Sequence, residues 1–328
     1  MVLDGRNDDL KGLGLLNARR SSECFISWLA ALAALGCAPS LDLLGKVPST
    51  GPVADAGGDA WGGPPEAPRF SPPTLVTAIS DPTADDEDPS FTGDLRELYF
   101  SSDRAGDSDI WVSRRASPSD PWGAPTMVVE LSSSGIDRSP SVSLDGLSIW
   151  FTTDRELFRG RIWRSSRPNT QSVWAAPAPV SELASPNFDS APSIDAAETT
   201  MFFSSLHQNS STGTDIYSST RASVSQPWGT PVRVPGLDTT ADEADPFVAQ
   251  GGLVVFFTLT RSGQSDLYSS VRRSTDASFT PPWPLSDVNS PAVDSDPTLS
   301  VDLLYLMFAS SRSGNTEIYE SHALQPAP

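Results

Sequence analysis

The feature that most constrains this chain is an internal repeat slightly longer than fifty residues, present five times between residues 70 and 322. Each copy opens on an aromatic residue, with proline three positions later and aliphatic residues six and nine positions later. The opening aromatics, spaced by 52, 52, 54 and 51 residues, are Phe70, Trp122, Trp174, Trp228 and Phe279. A repeat of this length indicates one supersecondary unit that buries its apolar face only against its neighbours.

Each copy contains the pattern of several short strands. In every copy a proline is followed eleven residues later by phenylalanine, inside an alternating segment such as Leu98-Tyr99-Phe100-Ser101. A further strand pattern, such as Ile110-Trp111, follows after Gly, Asp and Ser. Alternation bounded by turn residues is typical of strands, and four strands per unit without helices is the blade of a propeller. The sequence therefore predicts an all-β fold, a five-bladed β-propeller of four-stranded antiparallel blades over residues 70–328.

The two ends of the repeat region complement each other. The first copy begins with an outermost strand, whereas the last copy ends after its third strand, near Ser321. We therefore predict that residues 75–79 pair with the strand containing Ile318 and Tyr319. Such pairing would close the ring and remove the exposed edges of an open array.

The N-terminus has the order of an export signal. Arg19 and Arg20 precede an apolar run that ends in Ala34-Leu35-Gly36-Cys37, and the run is too short to span a bilayer. These four residues resemble the lipobox of bacterial lipoproteins, which implies a signal over residues 1–36 and a lipid on Cys37. A plain secretory signal and twin-arginine export are the alternatives. Residues 37–69, rich in Pro, Gly and Ala, are predicted to be a disordered tether.

The repeat also carries a family resemblance. Asp-Glu-Asp-Pro-Ser, then Leu-Tyr-Phe-Ser-Ser-Asp-Arg, then Asp-Ile-Trp, within residues 86–111, resemble the WD-like Asp/Pro repeat of TolB-type bacterial propellers. The resemblance implies a propeller that docks proteins or envelope polymers, and it implies no catalytic residues. With the export signal, it predicts a protein of the cell envelope, on the periplasmic side of the outer membrane or at the cell surface.

Two sets of charged residues recur in register. Each blade has a carboxylate three residues before its proline: Asp86, Asp137, Asp189, Glu243 and Asp294. Each blade also has a base four residues after its phenylalanine: Arg104, Arg155, His207, Arg261 and Arg312. Internal pairing of acid with base is one interpretation. A binding rim is the other, to which Asp88, Asp245 and Asp296 add negative charge suited to a calcium ion or a basic peptide.

Composition excludes several functions. The chain has 41 acidic and 22 basic residues and a formal charge of −19, which would repel nucleic acid. Cys24 and Cys37 both precede the repeats, and there are only two histidines. We therefore predict no disulfide framework, no nucleic-acid partner, no metal site of Cys or His, and no cofactor.

The acidic rings bear on enzyme activity. Glycoside hydrolysis needs two carboxyls in different environments, whereas the ring acids occupy equivalent places in every blade. No Gly-x-Ser-x-Gly or His-Glu-x-x-His motif is present. The sequence thus predicts a noncatalytic docking module for an envelope protein or glycan. The alternatives are a lectin that uses Trp122, Trp174 and Trp228, and a five-bladed glycoside hydrolase.

Overall fold

The computed structural model describes residues 68–156, 160–206 and 213–324. The predicted signal, Cys37, most of the predicted tether and His207 lie outside these ranges and stay predictions. No helix within the described ranges is long and apolar enough to cross a membrane.

The described chain forms five four-stranded antiparallel sheets around a common axis, as predicted. Blade 1 contains β2–β5, blade 2 β6–β9, blade 3 β10–β13, blade 4 β14–β17, and blade 5 β18–β20 with β1. The innermost strands are β2 (Asp86–Phe91), β6 (Asp137–Val142), β10 (Asp189–Ile194), β14 (Asp242–Ala249) and β18 (Asp294–Leu299). The second strands are β3 (Glu97–Ser102), β7 (Ser148–Thr153), β11 (Thr200–Ser205), β15 (Val254–Arg261) and β19 (Tyr305–Ser310).

The outermost strand of each blade is much shorter than the other three. The third strands are β4 (Asp109–Arg114), β8 (Arg161–Ser166), β12 (Asp215–Thr220), β16 (Gln264–Val271) and β20 (Glu317–His322). The outermost strands are β5 (Thr126–Met127), β9 (Ala178–Pro179), β13 (Val232–Arg233), β17 (Trp283–Pro284) and β1 (Thr74–Leu75). Two short 3₁₀ turns, Ser181–Leu183 and Gln250–Gly252, complete the regular structure of the described residues.

The core lies between neighbouring blades. The phenylalanines of the second strands, which the repeat places in register, are at most 1% exposed: Phe100, Phe151, Phe203, Phe257 and Phe308. Each apolar cluster joins residues from adjacent blades, as when Tyr99 of blade 1 packs with Ile149 and Phe151 of blade 2. A propeller blade therefore contributes to two cores, one on each of its faces.

Every innermost strand contains a bulge at the residue before its proline and the proline itself. The register with the second strand shifts there in all five blades, because proline has no N–H to donate to the ladder. The residue before each proline has a positive φ between 47° and 54°, and these residues are Asp88, Ser139, Ala191, Asp245 and Asp296. All five line a cavity on the axis.

The ring closes as predicted. Leu75 pairs with Tyr319, the Val76 N–H donates to Ile318 O at 3.0 Å, and Phe70 forms a bridge with Ala323. The closing strand is shorter than the predicted 75–79 segment, since it covers Thr74–Leu75 and the chain then turns.

Candidate functional site

The five ring acids are buried and do not form an open surface. Asp86, Asp137, Asp189, Glu243 and Asp294 are at most 1% exposed. In blades 1, 2 and 5 each acid pairs with the arginine that the sequence assigns to it. The distances from Nη2 to Oδ1 are 2.5 Å for Arg104–Asp86, 2.6 Å for Arg155–Asp137 and 2.5 Å for Arg312–Asp294.

Each of these three arginines makes the same contacts with a backbone carbonyl and with two aromatic rings. The Arg104 Nη2 also donates to Ile79 O at 2.8 Å. Its guanidinium carbon lies 5.3 Å from the centre of the Phe100 ring and 5.0 Å from that of Trp111. Arg155 and Arg312 repeat the carbonyl contact and the stacking in their own blades. The pairing therefore fixes turns and blade packing, and it occupies the groups that a partner would need.

In blade 3, the ring acid Asp189 lies near an arginine from the neighbouring blade. Arg161 Nη1 lies 3.5 Å from Asp189 Oδ2 and donates to Asn187 O at 2.5 Å. At the position of Arg161 the other blades carry an acid: Asp109, Asp215, Asp266 or Glu317. Blade 2 thus supplies the positive charge to blade 3, whose own predicted base is His207.

Blade 4 departs further, and its predicted pair is wrong. Arg261 is exposed, and among the described residues it has no ion pair with Glu243. Glu243 instead accepts hydrogen bonds from the backbone N–H and the hydroxyl of Thr239. Burial raises the pKa of Glu243 to about 7, which the bonds from Thr239 oppose.

A second series of arginines was not predicted. Seven residues before each of four opening aromatics stands an arginine: Arg115, Arg167, Arg221 and Arg272. Their guanidinium carbons lie 4.0–4.7 Å from the ring centres of Trp122, Trp174, Trp228 and Phe279. The three tryptophans are only 4–7% exposed, so they do not provide the exposed aromatic surface that the lectin alternative requires. The seven-residue spacing is the signal that could have revealed this.

The axial cavity has a volume of about 120 Å³ and is lined by the innermost strands of all five blades. Three of its five bulge positions are acidic, namely Asp88, Asp245 and Asp296, whereas blades 2 and 3 have Ser139 and Ala191. The cavity is therefore asymmetric in charge, although the fold around it repeats.

The three axial carboxyls differ in their hydrogen bonds. Asp88 Oδ2 accepts from Ser101 Oγ at 2.8 Å and from the Ser139 N–H at 3.1 Å. Asp296 Oδ2 accepts from Ser295 Oγ at 2.7 Å. The Asp245 carboxyl lies beside the Thr258 hydroxyl and the Asp296 carboxyl. Two carboxyls held close together in a buried site resist ionising at the same time, which favours a proton on one of them.

Burial and neighbouring charge raise the pKa of both carboxyls. Burial and the nearby charge of Asp88 raise the pKa of Asp245 to about 6. Burial, followed by the charges of Asp245 and Asp88, raises the pKa of Asp296 well above its ordinary value. Burial and like charge thus favour the protonated form of Asp245 and Asp296, whereas Asp88 accepts two hydrogen bonds. Acid–base chemistry requires such unequal environments. Within the described ranges, no three acidic, His or Cys side chains are arranged to hold a metal ion.

No family model and no curated protein sequence matches this chain. Among solved structures, an α-L-arabinofuranosidase from Podospora anserina, in complex with cellotriose, has a TM-score of 0.57 and 12% identity, covering 80% of this chain and 98% of its own. An α-L-arabinofuranosidase from Lactobacillus brevis has a TM-score of 0.52 and 14% identity, covering 78% and 99%. A TolB from Agrobacterium tumefaciens has a TM-score of 0.45 and 15% identity, covering 73% and 83%.

The prediction that the chain is not an enzyme is wrong as it was argued. That prediction treated the acids as equivalent in every blade, but the acids on the axis occur in three blades and differ in environment. Glycoside hydrolases are also among the solved structures that share this fold over their nearly complete length. The similarity itself, at 11–14% identity, shows the propeller fold.

Proposed function

We propose that this chain is a carbohydrate-active hydrolase whose reaction takes place in the axial cavity. The observation that carries the proposal is the Asp245–Asp296 pair at the axial cavity, where burial and the charge of neighbouring acids raise the pKa of both carboxyls beside a third acid, Asp88. The glycoside hydrolases among its structural neighbours support the proposal, since they use the same type of scaffold.

The proposed roles follow from the hydrogen bonds. The Asp245–Asp296 pair donates its proton to the leaving oxygen as the glycosidic bond breaks. Asp88, which accepts hydrogen bonds from Ser101 Oγ and the Ser139 N–H, takes a proton from the water that adds to the anomeric carbon. The cavity of about 120 Å³ is smaller than ordinary ligand pockets of about 300–1,000 Å³. A terminal sugar suits it better than the interior of a polymer.

The location and the docking role predicted from the sequence belong with this proposal. If Cys37 is lipidated, the propeller is held at the cell envelope, and envelope or extracellular glycans are the accessible substrates. Docking of an envelope protein remains a prediction. The ring acids of blades 1, 2 and 5 do not contribute free charge to such docking, because each is paired with an arginine of the chain.

The test is hydrolysis of a panel of p-nitrophenyl glycosides, pentosides and hexosides in both anomeric forms. The wild type is compared with Asp245→Asn, Asp296→Asn and Asp88→Asn. Asp120→Asn is the matched control, because Asp120 is exposed and bonds only a neighbouring Ser117. We expect each axial variant to lose about 100-fold or more in kcat/KM and the control to retain its activity.

Folding is checked by circular dichroism and thermal unfolding before rates are compared. A folded wild type that hydrolyses no glycoside of the panel would contradict the proposal. Full activity in all three axial variants would contradict it equally.

A further inference from the structure

The residues directly before the five axial positions form a second, unequal set. They are Glu87, Arg138, Ser190, Ala244 and Ser295. Two of them are charged, and they belong to adjacent blades. Glu87 and Arg138 precede the cavity-lining residues Asp88 and Ser139. Their charges act on the axial acids, that of Glu87 on Asp296 and that of Arg138 on Asp245.

Arg138 differs from Arg104 and Arg167 in the hydrogen bonds of its guanidinium. Its guanidinium carbon lies 5.6 Å from the centre of the Phe188 ring, and both side chains are partly exposed. The guanidinium N–H groups of Arg104 and Arg167 donate hydrogen bonds to carboxylates and backbone carbonyls. In the described part of the chain, the Arg138 side chain has no hydrogen-bond acceptor and no ion pair. Phe188 thus holds a guanidinium with unused donors.

The surrounding charge defines what those donors can bind. Burial and the charges of Asp88 and Asp85 raise the pKa of Glu87 to about 7, and the charge of Arg138 opposes that rise. Arg138 acts in the same way on Asp245, on the far side of the axis. The positive charge of Arg138 thus acts on Glu87 and Asp245, which in turn interact with Asp88 and Asp296. An anionic ligand group would meet more acids than bases at this end of the cavity.

We propose that Arg138, supported by Phe188, is a substrate-positioning residue that donates hydrogen bonds to the hydroxyls of an uncharged sugar, with Glu87 accepting from the same ring. The excess of carboxylates excludes sugars that carry a carboxylate of their own. A planar guanidinium can bond two adjacent oxygens at once, which suits neighbouring hydroxyls. This inference rests on the proposed function, because it assigns a substrate class to the same cavity.

The test compares steady-state kinetics of the full chain, using the neutral p-nitrophenyl glycoside that the wild type hydrolyses best. Arg138→Met retains a stem that can pack on Phe188 but removes the donors, and Arg138→Lys restores the charge. Arg96→Met, a change at an exposed arginine, is the control. We expect Arg138→Met to raise KM about 10- to 100-fold with little change in kcat, as loss of hydrogen bonds from a charged donor predicts. Arg138→Lys should recover part of that loss.

The charged probes are p-nitrophenyl glucuronide and galacturonide, for which we expect kcat/KM at least 10-fold below the neutral glycoside. An unchanged KM in Arg138→Met, or a preference for the uronides, would overturn this inference while leaving hydrolysis in the axial cavity intact. Absence of any hydrolysis by the folded wild type would instead remove the proposed function, and the substrate class with it. The separate readouts of rate and KM keep the two failures distinguishable.

Discussion

At the scale of single residues, position in the repeat does not determine what a charged side chain does. Arg104 and Arg261 occupy the same place after their second strands. The Arg104 side chain is 12% exposed and pairs with a fully buried Asp86, whereas Arg261 is exposed to solvent. Removing one partner of a buried ion pair leaves an uncompensated charge, so these two arginines contribute unequally to stability.

We therefore expect Arg104→Met to lower the free energy of unfolding by about 3–5 kcal/mol. Arg261→Met should change it by no more than about 0.5 kcal/mol, the usual range of surface substitutions. Chemical denaturation followed by tryptophan fluorescence measures both values. Equal effects of the two substitutions would show that the Arg104–Asp86 pair contributes no more to the free energy of unfolding than the exposed Arg261.

Glu243 gives a pH dependence whose sign is opposite to that of an ion-paired acid. Burial raises its pKa from 4.5 to about 7 in the folded state, so between these values the folded chain holds a proton that the unfolded chain has lost. Stability contributed at this site is therefore intact below pH 4.5 and falls as pH rises to about 7. The full loss is about 3 kcal/mol.

Glu243→Gln removes this titration, because the amide keeps the hydrogen-bonding shape without a charge to bury. Between pH 4.5 and pH 7, we expect the free energy of unfolding of this variant to rise relative to that of the wild type. The measurement is denaturation at a series of pH values, with the exposed Glu182→Gln as control. A constant difference between wild type and Glu243→Gln across the series would refute the pKa assignment.

At the scale of the elements, the hairpin of blade 4 explains why Arg261 misses Glu243. In blade 1 the second strand ends at Ser102, and Arg104 turns back to donate from Nε to Ser102 Oγ at 2.8 Å. In blade 4 the ladder continues until Arg261 pairs with Gln264. Ser262 and Gly263 close it with φ values of 55° and 82°, a turn that requires positive φ at both positions. The longer ladder therefore places Arg261 beyond Glu243, and the two side chains do not pair.

This hairpin also shows where sequence reasoning was sufficient. The strands and the blade count could be predicted because aromatic, proline and phenylalanine recur at nearly fixed spacing. The connections in blades 1 and 4 have equal length, since Phe100 pairs with Trp111 and Phe257 with Tyr268. Spacing alone therefore predicted the same pairing in both. The Ser262-Gly263 step was the local signal that distinguished them.

The axial site was predicted in its residues but not in its chemistry. Asp88, Asp245 and Asp296 were visible as acids before proline. The raised pKa values of Asp245 and Asp296 depend on which side chains from different blades meet at the axis, over intervals of about fifty residues. Burial and contact at that range are properties of the closed ring.

At the scale of the whole molecule, closure joins the two ends of the described chain. Phe70 and Val76 from the first segment are 2% and 6% exposed, and they pack against apolar residues of blade 5. Ser71 N donates to His322 O at 2.8 Å. Without this segment, β20 would present an unpaired edge and uncovered apolar side chains, which favours edge-to-edge association.

A chain that begins at residue 80 should therefore melt at a lower temperature and associate through β20, whereas a chain that begins at residue 68 keeps the closing strand. Both are compared by thermal unfolding and by light scattering at several protein concentrations. The chain from residue 68 isolates the effect of the closing strand, since the two proteins differ only in residues 68–79. The chain from residue 80 could instead stay monomeric and melt at the same temperature as the chain from residue 68. In that case a fourth paired strand in blade 5 is not needed to hold the ring, and stability is a sum of blade-to-blade contacts alone.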